Sequence, residues 1–141
     1  MLMKKFLLLV LSGAALFASG CSTLHKSDSA GIQGTWKGQE PARETQSACS
    51  LIASGNAFEF RRADSDEWYK GTFVLRQDAN PRQFVGTIVA CPAPQYNGTT
   101  FYGIYLLQDG KLTLTANEPG NAQVPTGFDA PGSRKFLLKK Q

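Results

Sequence analysis

The chain has 141 residues and a formal net charge of +4, a length that allows one domain with a modest core. Two of the positive charges are Lys4 and Lys5, and beyond the pairs Arg61-Arg62, Arg134-Lys135 and Lys139-Lys140 the others are scattered. That pattern describes a solvated face better than a phosphate footprint, so no nucleic-acid partner is expected. The single histidine, His25, leaves Ser-His-Asp or Cys-His catalysis without a usable base.

Residues 1–20 read as a processing signal. Lys4 and Lys5 precede an apolar run from Phe6 to Ala18, which has the length of a signal-peptide core and is too short to span a bilayer. The run ends in Ala18-Ser19-Gly20-Cys21, which resembles the lipobox of bacterial lipoproteins, with Ala18 where leucine is usual. The resemblance implies cleavage before Cys21 and acylation of its thiol and new amine. Two or three chains there make a long-lived anchor, since each buried methylene contributes roughly 0.8 kcal/mol and one chain holds only marginally. Ser22 after the cysteine resembles the outer-membrane sorting pattern of enteric-type bacteria. The expected address is therefore the cell envelope, anchored by lipid to the periplasmic face of the outer membrane. Residues 21–31 are small and polar and read as a flexible tether, with His25 as solvated spacer. The folded domain is expected over 32–141.

Within that domain, short apolar or alternating runs are separated by turn chemistry. They are Ile32–Gly38, Cys49–Ala53, Ala57–Arg61, Trp68–Leu75, Gln83–Cys91, Thr100–Leu107, Lys111–Ala116 and Arg134–Lys139. Asn97-Gly98 and Asp109-Gly110 are hairpin-turn pairs on either side of Thr100–Leu107. A Pro/Gly/Asn-rich loop runs from Asn117 to Ser133. No stretch sustains a helical period. The fold class is all-β with little helix, a small antiparallel barrel or sandwich of roughly seven or eight strands. Gly71, Gly86 and Gly103 fall inside strands, where glycine marks a bend or a close approach. Cys49 and Cys91 are the cysteines left after Cys21. In an oxidising compartment they are expected to form a disulfide worth about 4 kcal/mol in the chain-entropy limit.

From Gly34 onward the chain is similar to a conserved bacterial domain of unknown function best known from planctomycetes. The likeness rests on Gly34-Thr35-Trp36-Lys37, Lys70-Gly71-Thr72-Phe73, Gly103-Ile104-Tyr105-Leu106, Glu118-Pro119-Gly120 and Pro125-Thr126-Gly127-Phe128. It departs at Val124, where arginine is common, and implies a fold more than a chemistry. Gly34-Thr35-Trp36 also resembles the Gly-x-Trp of lipocalin-like barrels. That likeness implies a late basic residue, here Arg134, stacked over Trp36, while a second lipocalin motif is missing.

The ingredients for catalysis are few. Most carboxylates sit at turns, and Asp64-Ser65-Asp66-Glu67 lacks the glycine and distant glutamate of a calcium loop. No enzyme activity, cofactor or metal site is expected. The aromatic residues mostly build the core, and Tyr96, Tyr102 and Tyr105 are the candidate binding residues. The favoured reading is a non-catalytic envelope module that binds a small apolar ligand or envelope component. The alternative is a protein-interaction or inhibitor lipoprotein that makes contact through the loops Pro41–Ala48 and Asn117–Ser133. A hollow interior favours the first and a packed one the second.

Overall fold

Period-two patterning builds every wall of the molecule. The computed structural model describes residues 27–41 and 47–141; the signal segment 1–20, Cys21 and His25 lie outside the described residues. Eight strands follow one another in chain order around a closed antiparallel barrel. They are β1 (Gly34–Glu40), β2 (Ser47–Ser54), β3 (Ala57–Arg62), β4 (Trp68–Arg76), β5 (Gln83–Ala90), β6 (Thr100–Gln108), β7 (Lys111–Ala116) and β8 (Arg134–Lys140). β8 returns to β1, pairing Leu138 with Gly38 and Lys140 with Trp36. Closure leaves no strand edge unpaired. The all-β expectation holds in its barrel form. Helix among the described residues is confined to α1 (Asp28–Gly31) and a 3-10 turn, Pro94–Tyr96.

Large apolar side chains point inward at alternate positions, as the pleat requires. The core gathers Trp36, Leu51, Phe58, Phe73, Phe84, Ile88, Tyr105, Leu112 and Leu138. Interior crowding explains two of the strand glycines. A Cβ on Gly71 would lie 1.9 Å from the Thr87 carbonyl oxygen, beside a register shift between Lys70 and Gly71 in the β4–β5 ladder. A Cβ on Gly86 would lie 2.2 Å from the Phe101 ring. Glycine lets the sheet curve tightly at the first place and admits an aromatic ring at the second.

The two ends of the barrel differ. One carries short connections: β2–β3, β4–β5 and the β6–β7 hairpin, where Asp109 (φ 52) and Gly110 (φ 71) make the left-handed pair of a tight turn. α1 closes this end. Ser27 caps it by accepting from Ala30 N–H. The Asp28 carboxylate accepts from the Tyr105 hydroxyl at 2.7 Å and from Arg82 at 2.8 Å. Gln33 donates to the Gly55 carbonyl and accepts from its N–H, at 3.0 and 2.7 Å. Trp36, fully buried, donates its indole N–H to the Ile32 carbonyl at 2.8 Å. Residues 27–31 are therefore part of the folded floor, a correction to the flexible tether expected through residue 31. The helix is too short to show a period, and contacts with the barrel hold it.

The opposite end carries the long connections, among them 91–99 and 117–133. The latter segment does not hang free. Thr115, fully buried on the outer face of β7, donates its hydroxyl to the Phe128 carbonyl at 2.9 Å. Asn117 donates to the Gln123 carbonyl at 2.8 Å, and Pro125 is buried. Ile104, the cross-strand partner of Thr115 on that outer face, is also fully buried.

Candidate ligand-binding cavity

Inward-facing aromatics on β3, β5, β6 and β8 wall a cavity beneath the long-loop end. Phe58 meets Phe101 edge-on with centroids 5.6 Å apart, and Phe84 stacks on Phe101 at 5.8 Å. On the other side Phe60 meets Phe136 edge-on at 5.2 Å. These offset and edge-to-face arrangements are the favourable ones for ring quadrupoles, and they hold the walls in place. Leu51, Ile88 and Leu114 complete the apolar lining, and Tyr96 with Asn117, Glu118 and Pro119 lines its upper part. The hollow measures about 110 Å³ and is partly open. An apolar cavity of roughly 150 Å³ stays dry and takes up benzene, so this one suits a single ring or a short alkyl chain. Below it the floor is packed: Trp36, Ile32, Tyr105 and Leu112 are each no more than 2 % exposed.

A layer of charge flanks the cavity on the β8–β1–β3 side. Glu40 ends β1 in phase with Trp36, Arg62 ends β3 in phase with Phe58 and Phe60, and Arg134 begins β8 in phase with Phe136. All three therefore point inward. Arg134 grips Glu40 with two donors, Nε to Oε1 at 2.9 Å and Nη2 to Oε2 at 3.0 Å. Its Nη1 donates to Glu67. Arg62 donates to Glu40, and its Nε faces Glu67 Oε2 at 3.0 Å as an ion pair, out of line for a hydrogen bond. The side chains of Arg62 and Glu40 are only 2 % and 3 % exposed. Buried charges persist only when paired in this way. The Arg134 guanidinium also lies 5.3 Å from the Phe136 ring centre. Burial, followed by the negative charge of Glu67, pushes the Tyr69 hydroxyl above its ordinary pKa.

No family model matches the chain, and neither do any curated proteins or solved structures.

The residues expected from the sequence scatter through this geometry. Tyr96 lines the cavity, carried there by the 3-10 turn that follows β5 and fixed by the Thr99 hydroxyl, which donates to its carbonyl at 2.6 Å. Tyr102 lies on the outer face of β6 and is half-buried. Tyr105 is inward but sits on the closed floor, 2 % exposed and bound to Asp28; burial, and then the Asp28 contact, hold its hydroxyl well above the usual tyrosine range. Gly34 opens β1 with φ 113 and Trp36 fills the floor. The cation over Trp36 is Lys140, 5.4 Å from the ring centre, and not Arg134. The antiparallel β1–β8 register decides this, because it sets Lys140 opposite Trp36 and leaves Arg134 at the far end of β8.

The expected Cys49–Cys91 disulfide is not formed either: both are buried thiols. Cys49 is on β2 and Cys91 follows β5, with β3 and β4 between them. At about 4.8 Å per strand spacing, that separation exceeds the roughly 7 Å limit between bridged Cα atoms. Burial raises the Cys49 thiol to about 11, with Arg134 pulling the other way, so it stays neutral. Among the described residues no three His, Cys, Asp or Glu side chains are grouped to hold a metal.

Sequence reasoning put Arg62 on a solvated face and Glu67 in a solvated turn, and gave Glu40 no role. The signal was present in Phe58-x-Phe60-x-Arg62, where the alternation that buries the phenylalanines also buries the arginine.

Proposed function

We propose that the protein is a non-catalytic binding module of the cell envelope, held by lipid at Cys21 to the periplasmic face of the outer membrane. In this reading its barrel takes a small apolar ligand into the cavity beneath the long loops. The observation that supports it most is the contrast within one interior. The floor is close-packed, while the loop end keeps an aromatic-walled, partly open hollow of about 110 Å³. Apolar concavity with a few polar groups at the rim is the usual form of a small-molecule site. The rival reading, contact with a protein through Pro41–Ala48 and Asn117–Ser133, is less favoured for its second loop, which is hydrogen-bonded to itself and to the outside of β7.

Benzene is the direct test, being a probe of matching size. Added to the mature protein in detergent, it should raise the unfolding midpoint and move the ring-proton resonances of Phe101 and Tyr96. At a hundredfold excess over the dissociation constant the stabilisation is about 2.7 kcal/mol. A midpoint and resonances that stay put up to the solubility limit of benzene would dispose of the ligand-binding reading.

A further inference from the structure

An arginine at the rim of an apolar cavity ordinarily suggests a carboxylate ligand, such as the head of a fatty acid. The pairing of Arg134 points the other way. It is the only cation lining the cavity among the described residues, and Glu118 is the only anion. Its Nε and Nη2 are both held by Glu40, and its Nη1 by Glu67. An incoming carboxylate would meet a guanidinium already neutralised in a balanced cluster of two arginines, Arg62 and Arg134, and two glutamates, Glu40 and Glu67, with Glu118 at the rim besides. It would have to lose its hydration without gaining an unshared positive charge, and burying an unpaired charge is costly.

Resting on the binding role proposed above, we infer that the cavity selects uncharged ligands, a single aromatic ring or a short alkyl chain with a neutral polar end, and rejects carboxylates of the same size. Glu67 is the residue that sets this preference. Glu40 is deep, 3 % exposed, and grips Arg134 with both oxygens, whereas Glu67 is 21 % exposed and holds a single Arg134 nitrogen. Neutralising Glu67 leaves Arg62 and Arg134 to share the single carboxylate of Glu40, so the cluster gains a net positive charge and Arg134 Nη1 loses its anionic partner. The selectivity is therefore a matter of a cation whose charge is already balanced within its cluster, a way of discriminating by denying a partner as well as by fit.

The test compares benzyl alcohol with benzoate on the mature protein at pH 7 by calorimetric titration, with ring-proton shifts of Tyr96 and Phe101 locating the bound probe. Benzyl alcohol should bind at least about 10-fold tighter than benzoate, a difference of about 1.4 kcal/mol. In Glu67→Gln, whose side chain keeps the shape and an acceptor oxygen, the ratio should move toward benzoate by a similar factor. Benzoate binding as tightly as benzyl alcohol in the native protein would overturn the selectivity while leaving the cavity's role intact. So would an unchanged ratio in Glu67→Gln. Neither compound shifting the Tyr96 and Phe101 resonances would overturn the cavity's role and the selectivity with it. Because the native comparison needs no variant, poor folding of Glu67→Gln does not remove the test.

Discussion

At the scale of single residues, the decisive feature is charge placed where alternation forces it inward. Glu40 accepts from Arg62 and Arg134 together, so one carboxylate balances contacts from two strands, β3 and β8, that are not neighbours. Removing one member of a buried pair leaves the other charge uncompensated, at a cost of about 3–5 kcal/mol. Glu40→Ala should therefore lose stability on that scale in urea unfolding. A loss below about 1 kcal/mol would mean that water or a rearranged loop satisfies Arg62 in its place. An exposed pair such as Lys135–Asp129, whose acid is 85 % exposed, belongs to the class of surface ion pairs that contribute little. These polar residues were legible only in part. Arg62 follows the phase of Phe58 and Phe60 and was readable from the pattern. Glu67 precedes its strand, and its inward direction depends on how the 62–68 connection closes, which no local pattern encodes.

At the scale of elements, strand positions were the most readable part of the chain. Turn pairs such as Asp109-Gly110 have a steric reason to lie where they do, and β7 runs over Lys111–Ala116 as the alternation predicts. Helix α1 was not readable, because four residues cannot display a 3.6-residue period and the helix is held by Asp28 reaching Tyr105 and Arg82, far away in sequence. The Arg134–Trp36 contact and the disulfide failed for one reason: both depend on which strands lie side by side and in what register. Glycines inside strands gave the better guide. Gly71 sits where the β4–β5 ladder shifts and backbone closes on backbone, so Gly71→Ala forces Cβ against the Thr87 carbonyl. Overpacking of this kind costs about 1–3 kcal/mol, and the rigid backbone oxygen places the expected loss at the upper end of that range. A denaturant midpoint within experimental error of the native one would show that the sheet relaxes there freely.

At the scale of the whole molecule, the interior is graded along the barrel axis. It runs from a fully packed floor sealed by α1, through an aromatic middle, to a hollow flanked by paired charge. The hypothesis that the chain is anchored at Cys21 adds an external reference to this axis. It predicts a mature N-terminal peptide that begins at residue 21 and is heavier by the mass of its acyl chains. A peptide with a plain thiol at that position would remove the anchor from the account.

The placement of α1 then acquires a meaning beyond sealing the floor. Ser27 leads at once into α1 at the closed end, and six residues, the number from Cys21 to Ser27, reach at most about 20 Å in any conformation. If lipid at Cys21 holds the chain, as proposed, the closed base is the side kept close to the bilayer and the orifice looks outward into the aqueous compartment. On that proposal cargo would arrive through water, not by sliding sideways out of a lipid leaflet, and would be limited to compounds with appreciable aqueous solubility.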